Sequence, residues 1–263
     1  MIVINTTINI SSIMSEVETD YVVEIEDLVK VYHTGNVRAL DGLNIKIRRG
    51  EIYAFIGANG TGKSTAINVM NGILVPTSGS VKVLGKDISK HQQISGRIGM
   101  APQEYAIYLD LTVTENIRFF GDVFGMRRAD IERRMAELLD VLRLTDKKST
   151  LARNLSGGMK RRVSLACALI HAPELIFLDE ATVGVDPILR KFFWNYFREL
   201  RDQGVTLVVT SHVMDEAEKA DRIGLLRAGK LIAEGTPDEL KRKHDVDSIE
   251  ELFVLLSGGE IDE

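Results

Sequence analysis

Residues 57–65, read as Gly57, Ala58, Asn59, Gly60, Thr61, Gly62, Lys63, Ser64 and Thr65, lie between an apolar run at 52–56 and a segment of helical pattern reaching Met70. Few short patterns constrain a fold as strongly, because this one needs a strand to end at it and a helix to start from it. The glycines let consecutive backbone N–H groups turn into one concavity, and the helix that follows adds the positive end of its dipole. The loop is therefore expected to hold phosphate. Lys63 is placed to reach β- and γ-phosphates, and the Ser64 hydroxyl to ligate Mg²⁺. A structural turn of the same letters would leave the agreement of glycine spacing, Lys-Ser pair and flanking elements unexplained.

With 263 residues the chain can bury one large core carrying an inserted lobe, so one domain with subdomains is expected. Its single cysteine, Cys167, excludes an internal disulfide and a thiolate metal cluster, and reads as an ordinary buried helix residue. The formal charge is −5 and the basic residues are scattered, so no nucleic acid is expected as a direct partner. No apolar run approaches the roughly eighteen residues needed to span a bilayer, and the chain is expected to be soluble.

Residues 1–20 hold Asn, Ser, Thr and Ile with no charge before Glu16 and are read as a loose extension rather than a secretory signal. From 21 to 56 the alternation predicts several short strands, partly antiparallel, with turns at Gly35-Asn36 and Arg49-Gly50. Tyr32 falls here; taken alone, its ring is a core or surface residue. A turn at 76–79 and a strand at 80–84 follow, then a short apolar strand running into Gln103, either a surface amide or one set at a strand's carboxyl end, where ligands of α/β sheets collect.

The period changes at 111–144, where Val113, Ile117, Phe120 and Phe124, then Ile131, Met135, Leu138, Leu139 and Leu142, recur at helical spacing. An inserted helical lobe is expected, with helix starts at Thr112 and Ala129-Asp130. Ser156, Gly157, Gly158 and Met159 open a further helix. Paired glycines there fit a second anion site, Ser156 fits an N-cap, and the two readings are compatible.

Leu175, Ile176, Phe177 and Leu178 predict a strand buried on both faces, which delivers Asp179 and Glu180 to its carboxyl end beside the phosphate loop. Asp179 is then expected to hold the Mg²⁺ hydration shell and Glu180 to orient or deprotonate water. A second buried strand at 205–210 ends in Ser211-His212, the histidine being either structural or a third polar group brought to the same crevice. Strands at 223–227 and 230–233 and helices at 237–243 and 249–256 complete the pattern.

These motifs, in this order, resemble the nucleotide-binding subunits of ATP-binding cassette (ABC) transporters over residues 21–235. The matching pieces are the Walker A loop at 57–65, the Q-loop Gln103, the signature Leu155-Ser156-Gly157-Gly158-Met159, the Walker B strand with Asp179 and Glu180, and the switch His212. The resemblance implies an α/β fold with a RecA-like P-loop core, an antiparallel β-subdomain and an inserted α-helical subdomain. The cassette would span 21–240, with core and β-subdomain at 21–103 and 171–240, the helical subdomain at 104–170, and a short helical tail at 241–263. It implies ATP and Mg²⁺ as ligands, with Gln103 joining Ser64 and Asp179 at the metal. Catalytic roles fall to Lys63, Gln103, Glu180 and His212. Tyr32 becomes an adenine-stacking ring, and Asp186 the D-loop aspartate that signals between subunits. The partners implied are an integral-membrane permease and a second ATPase, homodimeric or heterodimeric, with ATP at the interface, on the cytoplasmic face of the membrane.

Residues 103–116 and 248–253 are similar to ATPases of ABC-2 type exporters of drugs, lipids and polysaccharides. Met159 stands where the family usually has glutamine, Ala181 where proline often follows the glutamate, and Val183 and Val185 also depart from the family. None of these removes a phosphate, metal or water ligand. The competing function is a non-transport ABC ATPase acting on ribosomes or DNA. Against it stand the single cassette, the missing coiled-coil insertion and zinc-type cysteine pairs, and the missing basic patch.

Overall fold

The structure is a computed structural model that describes residues 20–182 and 184–257; the expected extension, apart from Asp20, and Val183 lie outside them. The chain begins with two antiparallel strands, β1 (Tyr21–Tyr32) and β2 (Val37–Arg48), of 12 residues each. The expectation of several short strands here needs correcting. Register shifts after Ile25, Leu28 and Lys30 interrupt the alternation without ending the pairing, so bulges look like strand ends in the sequence. β4 (Ser78–Val83) and β5 (Lys86–Asp87) complete a sheet of order β2-β1-β4-β5, and β4 starts inside the stretch read as a turn.

The second sheet has six strands in the order β10-β9-β3-β8-β7-β6. Its members are β3 (Ile52–Ile56), β6 (Ile98–Ala101), β7 (Leu175–Asp179), β8 (Thr206–Ser211), β9 (Arg222–Arg227) and β10 (Lys230–Gly235). All neighbouring pairs are parallel except β9 with β10. Burial on both faces marks β3 and β7 as interior strands of this sheet. Ile52, Ala54 and Ile56 enter one core, Tyr53 and Phe55 the other, and every residue of β3 and β7 is buried. Strands of this kind have no edge to give to water, and each large side chain so buried contributes about 1.5–3 kcal/mol.

One core lies between the sheets and encloses α1 (Lys63–Met70) through Ala66, Ile67, Val69 and Met70. The other faces the helices α2 (Val113–Val123), α3 (Arg128–Val141), α4 (Gly157–Leu169) and α5 (Pro187–Asp202), followed by the four-residue α6 (Met214–Ala217). α2 and α3 form the expected inserted lobe. Thr112 and Glu115 close a full capping box, and wholly buried Asn116 holds the preceding loop through Tyr108 and the carbonyl of Thr112. α3 starts at Arg128 with Arg127 as its cap, one residue before the expected Ala129, and Asp130 pairs with Arg127. α7 (Pro237–His244) runs across the boundary expected at 240, and Leu240, Ile249 and Leu252 of α7 and α8 (Ile249–Leu256) join the main core, so the tail packs as part of the body.

Candidate functional site

Each strand that ends at the crevice delivers one part of the site. β3 leads into the glycine loop, where the backbone runs so close to its neighbours that side chains are excluded. A Cβ on Gly57 would collide with the Leu226 carbonyl, and one on Gly62, at φ 104°, with the Ala39 carbonyl. Gly62 caps α1, so the N–H groups of the first turn open toward the loop.

Lys63 is 4% exposed, and its ammonium donates to the carbonyls of Gly57 and Ala58, both at 2.8 Å. Two of its three donors are thus committed and one is left for an anion. Burial lowers its pKa, while the nearby Glu180 and Asp179 hold it up. Thr61 steadies the loop by donating to the Ala58 carbonyl at 2.9 Å.

Ser64 follows on the first turn of α1 and donates to Asp179 Oδ1 at 3.1 Å. Asp179 ends β7 and also accepts the hydroxyl of Thr210, on the adjacent β8, at 2.5 Å. One hydroxyl and one carboxylate suit a hard cation that takes its remaining ligands from phosphate and water. Among the described residues no cluster of three or more His, Cys, Asp or Glu side chains offers a closed metal cage. The donor set therefore fits Mg²⁺ delivered with a nucleotide.

Glu180 has the left-handed φ of 49°, uncommon for a residue with a side chain, and its N–H donates to Thr210 Oγ1 at 2.9 Å. Its carboxyl group is buried. Oε2 accepts Gln103 Nε2 at 3.0 Å, and Oε1 lies 3.3 Å from His212 Nδ1. Gln103 comes from just beyond β6 and His212 from just beyond β8, so both stand in this crevice as polar groups at strand ends. Gln103 reaches Glu180 directly; its amide oxygen, not engaged by Glu180, is the atom a cation would take.

Tyr32, Asn59, Gly60, Gly62, Lys63, Ser64, Thr65, Gln103 and Glu180 line a cleft of about 450 Å³. Tyr32 is 36% exposed on its wall, with its hydroxyl 3.3 Å from Thr65 Oγ1 and the Lys30 ammonium 5.7 Å from its ring centre. The cleft can hold a triphosphate on the loop, with a ring against Tyr32.

The expected signature residues stand elsewhere. Ser156, Gly157, Gly158 and Met159 begin α4 and do not line the cleft. Ser156 is the N-cap, accepting the Met159 N–H at 3.3 Å, and the glycines are the first two helical residues. Asp186 is also outside the cleft, accepting the N–H groups of Ile188 and Leu189 at 3.1 and 2.9 Å as the N-cap of α5.

Sequence reading missed Thr210, Ser211, Glu216 and Arg161. Thr210 and Ser211 carried a signal, two hydroxyls ending an otherwise apolar buried run. Arg161 donates to the Pro102 carbonyl at 2.9 Å and stands over the Tyr105 ring, tying α4 to the segment that carries Gln103.

With this geometry established, the comparisons with known proteins are specific. The model of the ABC transporter family matches residues 40–183, a span holding the glycine loop, Gln103, the start of α4, Asp179 and Glu180. The probable multidrug ABC transporter ATP-binding protein YbhF of Escherichia coli K12 is 41% identical over 241 residues, 89% of this chain but only 41% of that protein. The linearmycin resistance ATP-binding protein LnrL of Bacillus subtilis 168 is 37% identical over 236 residues, covering 88% of this chain and 74% of its own length. A dimeric post-hydrolysis structure of the ATP-binding cassette MJ0796 bound to ADP and Pi superimposes with a TM-score of 0.76 at 27% identity, covering 81% of this chain and 98% of that one. Loop, carboxylates and architecture agree with the sequence match: the chain belongs to the ABC transporter family, and its α/β fold is that of an ATP-binding cassette.

Proposed function

We propose that the chain hydrolyses ATP with Mg²⁺ to power export through a membrane-spanning partner, working as a dimer that encloses ATP between two cassettes. The observation that carries the proposal is the convergence of Lys63, Ser64 with Asp179, and Gln103 with Glu180 and His212 on one crevice. Mg²⁺, held by Ser64, Asp179 and the Gln103 amide, would neutralise phosphate charge during transfer. The chain's own work is positional and protonic. The loop N–H groups and Lys63 fix the phosphates, and Glu180 accepts a proton from the attacking water. His212, 3.3 Å away, steadies that carboxyl group.

The dimer is supported by what the crevice lacks. The exposed start of α4, with Ser156 and Gly157, is an anion-seeking helix end that does not line this chain's own cleft. A second copy can present it to the γ-phosphate held by Lys63. The names of YbhF and LnrL, multidrug and linearmycin resistance, support export as the direction.

No described helix is long and apolar enough to cross a membrane. A groove of about 300 Å³ between core and helical lobe, lined by Ile73, Met100, Phe120 and Phe124 together with polar His91 and His171, offers a membrane-spanning partner a seat. The site of action is then the inner face of the cell membrane.

Purification of the tagged chain from membranes tests the reading. A Mg²⁺-dependent ATPase that carries along a hydrophobic integral-membrane protein is expected. Ribosomes or DNA in its place would contradict it.

A further inference from the structure

Glu216, on α6, is 0% exposed, and its position relative to the site explains why a carboxyl group is buried there. Its Oε2 accepts two hydroxyls, Thr182 at 2.7 Å and Ser211 at 2.6 Å, and both of those residues are themselves fully buried. Thr182 lies two residues after Glu180, and Ser211 immediately precedes His212. Ser211 Oγ also accepts the N–H of Val213, so the backbone on the far side of His212 is tied to the same point at 3.0 Å. On the other side of the carboxyl group, Arg190 Nε stands 3.6 Å from Oε1 and donates through Nη2 to the Val185 carbonyl at 3.3 Å.

One side chain thus holds the segment leaving β7 through Thr182 and the segment leaving β8 through Ser211, with Arg190, which donates to Val185, at ion-pair distance from its other oxygen. These two segments carry the pair whose contact matters, Glu180 Oε1 and His212 Nδ1 at 3.3 Å. Parallel pairing of β7 with β8 sets their register only as far as Asp179 opposite Thr210. Beyond that point the backbone ladder stops, and Glu180 takes its left-handed turn. Something must fix the two chain ends against each other there. A buried carboxyl group accepting two buried hydroxyls is costly to disturb, because each donor left behind would have no water to turn to.

We propose that Glu216 is a positioning residue for hydrolysis, a bridge that holds Glu180 and His212 in register by pinning Thr182 and Ser211 to one oxygen. The proposal rests on the reading of Glu180 as the base in the proposed function. Glu216 has no exposed surface and does not line the cleft, so it acts through the two segments. Misplacing a reacting group by about 1 Å costs on the order of a hundredfold in rate. Phosphate binding, which depends on the loop and Lys63, is left alone.

Steady-state ATPase kinetics and amide hydrogen exchange of the full chain test this. Glu216→Ala is expected to lower kcat about a hundredfold with KM for ATP within about twofold. It should also speed exchange in the segments carrying Glu180 and His212 together. Glu216→Gln should restore most of kcat, because its amide oxygen can accept both hydroxyls and only the pairing with Arg190 is lost. A purely structural role would lower the melting temperature of both variants without this split. Should Glu216→Ala fail to fold, Thr182→Val and Ser211→Ala carry the test. Each should lower kcat at constant KM, and the double variant should be no worse than either, since each alone breaks the same bridge. Wild-type kcat in Glu216→Ala, equal damage in Glu216→Gln and Glu216→Ala, or additive effects of the two hydroxyl variants would overturn the proposal. A wild-type chain that hydrolyses no ATP would overturn the functional reading instead. The bridge is then judged on exchange alone: joint acceleration of both segments by Glu216→Ala upholds it, and acceleration of one or neither refutes it.

Discussion

The starts of α1 and α4 are two helix N-termini built from similar residues in opposite surroundings. At α1, Gly62 and Lys63 are enclosed by the loop, and each polar side chain has a partner in the same chain: Lys63 on loop carbonyls, Ser64 on Asp179, Gln103 on Glu180. At α4, Ser156 and Gly157 are exposed, and the Ser156 hydroxyl accepts the Met159 N–H in a long cap contact of 3.3 Å. Both ends attract anions through the same unsatisfied N–H groups and dipole. In the dimer we propose, the first is one half of a phosphate site and the second the half that a partner chain supplies, since the start of α4 does not line this chain's own cleft.

The sharpest break of this comparison is at the finished half. Lys63→Ala removes the fixed full charge of the loop, and turnover is expected to fall by at least about a hundredfold, because electrostatic stabilisation dominates phosphoryl transfer. Near-normal turnover in a Mg²⁺-ATP assay would remove Lys63 from the site.

At the exposed half the expected pattern differs. Ser156→Arg places a bulky side chain on the presented face, so turnover should drop by at least about tenfold while ATP affinity of the single chain, read by nucleotide fluorescence, stays within about twofold. Equal loss of affinity would mean that the α4 start serves its own cleft.

Between the halves, acid should loosen the seam where the helical lobe meets the core. His171 stacks on Phe124 of that lobe at 3.6 Å, and its Nε2 donates to the Ile98 carbonyl at 2.9 Å. Burial pushes its pKa below the ordinary histidine value, against a smaller opposing effect of that hydrogen bond. The unfolded chain then binds the proton first as pH falls, so this contribution to stability is present above the ordinary value of about 6.5 and declines below it. His171→Phe should flatten the acid side of a melting-temperature profile, and an unchanged profile would show that His171 does not set it.

The smallest effect concerns the cap. Thr112 with Glu115 and Thr236 with Glu239 form full capping boxes, whereas Met159 at the third position of α4 returns no bond to Ser156. Met159→Gln should add about 0.5 kcal/mol, partly offset because Met159 packs against the core. The melting temperature should rise by roughly 1–2 °C. A fall with the fold intact would show that this packing outweighs the cap.

These regions also differ in how far they could be read from the chain. Residues 57–65 and 175–180 announce themselves because backbone chemistry restricts the residue types: glycine where walls close in, unbroken apolar runs where both faces are buried, carboxylates where the run stops. The pairing of Glu180 with His212 follows from strand order, and strand order was not visible until β7 and β8 were seen side by side. Glu216 and Arg161 leave no local trace, since each acts on a segment that only the tertiary fold brings near. The bulged strands β1 and β2 misled for a related reason, as cross-strand pairing carries them through positions where alternation fails. Asp186 is a reminder that a motif residue can also satisfy a local need, here the cap of α5.

If the two helix starts meet across a nucleotide, Glu180→Gln should trap them there. The substitution keeps size and hydrogen bonding but removes the proton acceptor, which should slow hydrolysis by about 10²–10⁴-fold and let ATP remain between the cassettes. Light scattering coupled to size-exclusion chromatography of Glu180→Gln should show a dimer with ATP and a monomer with ADP or no nucleotide, and adding Ser156→Arg should return it to a monomer. A Glu180→Gln chain that binds ATP yet stays monomeric at every concentration, or a dimer that ignores Ser156→Arg, would contradict the account.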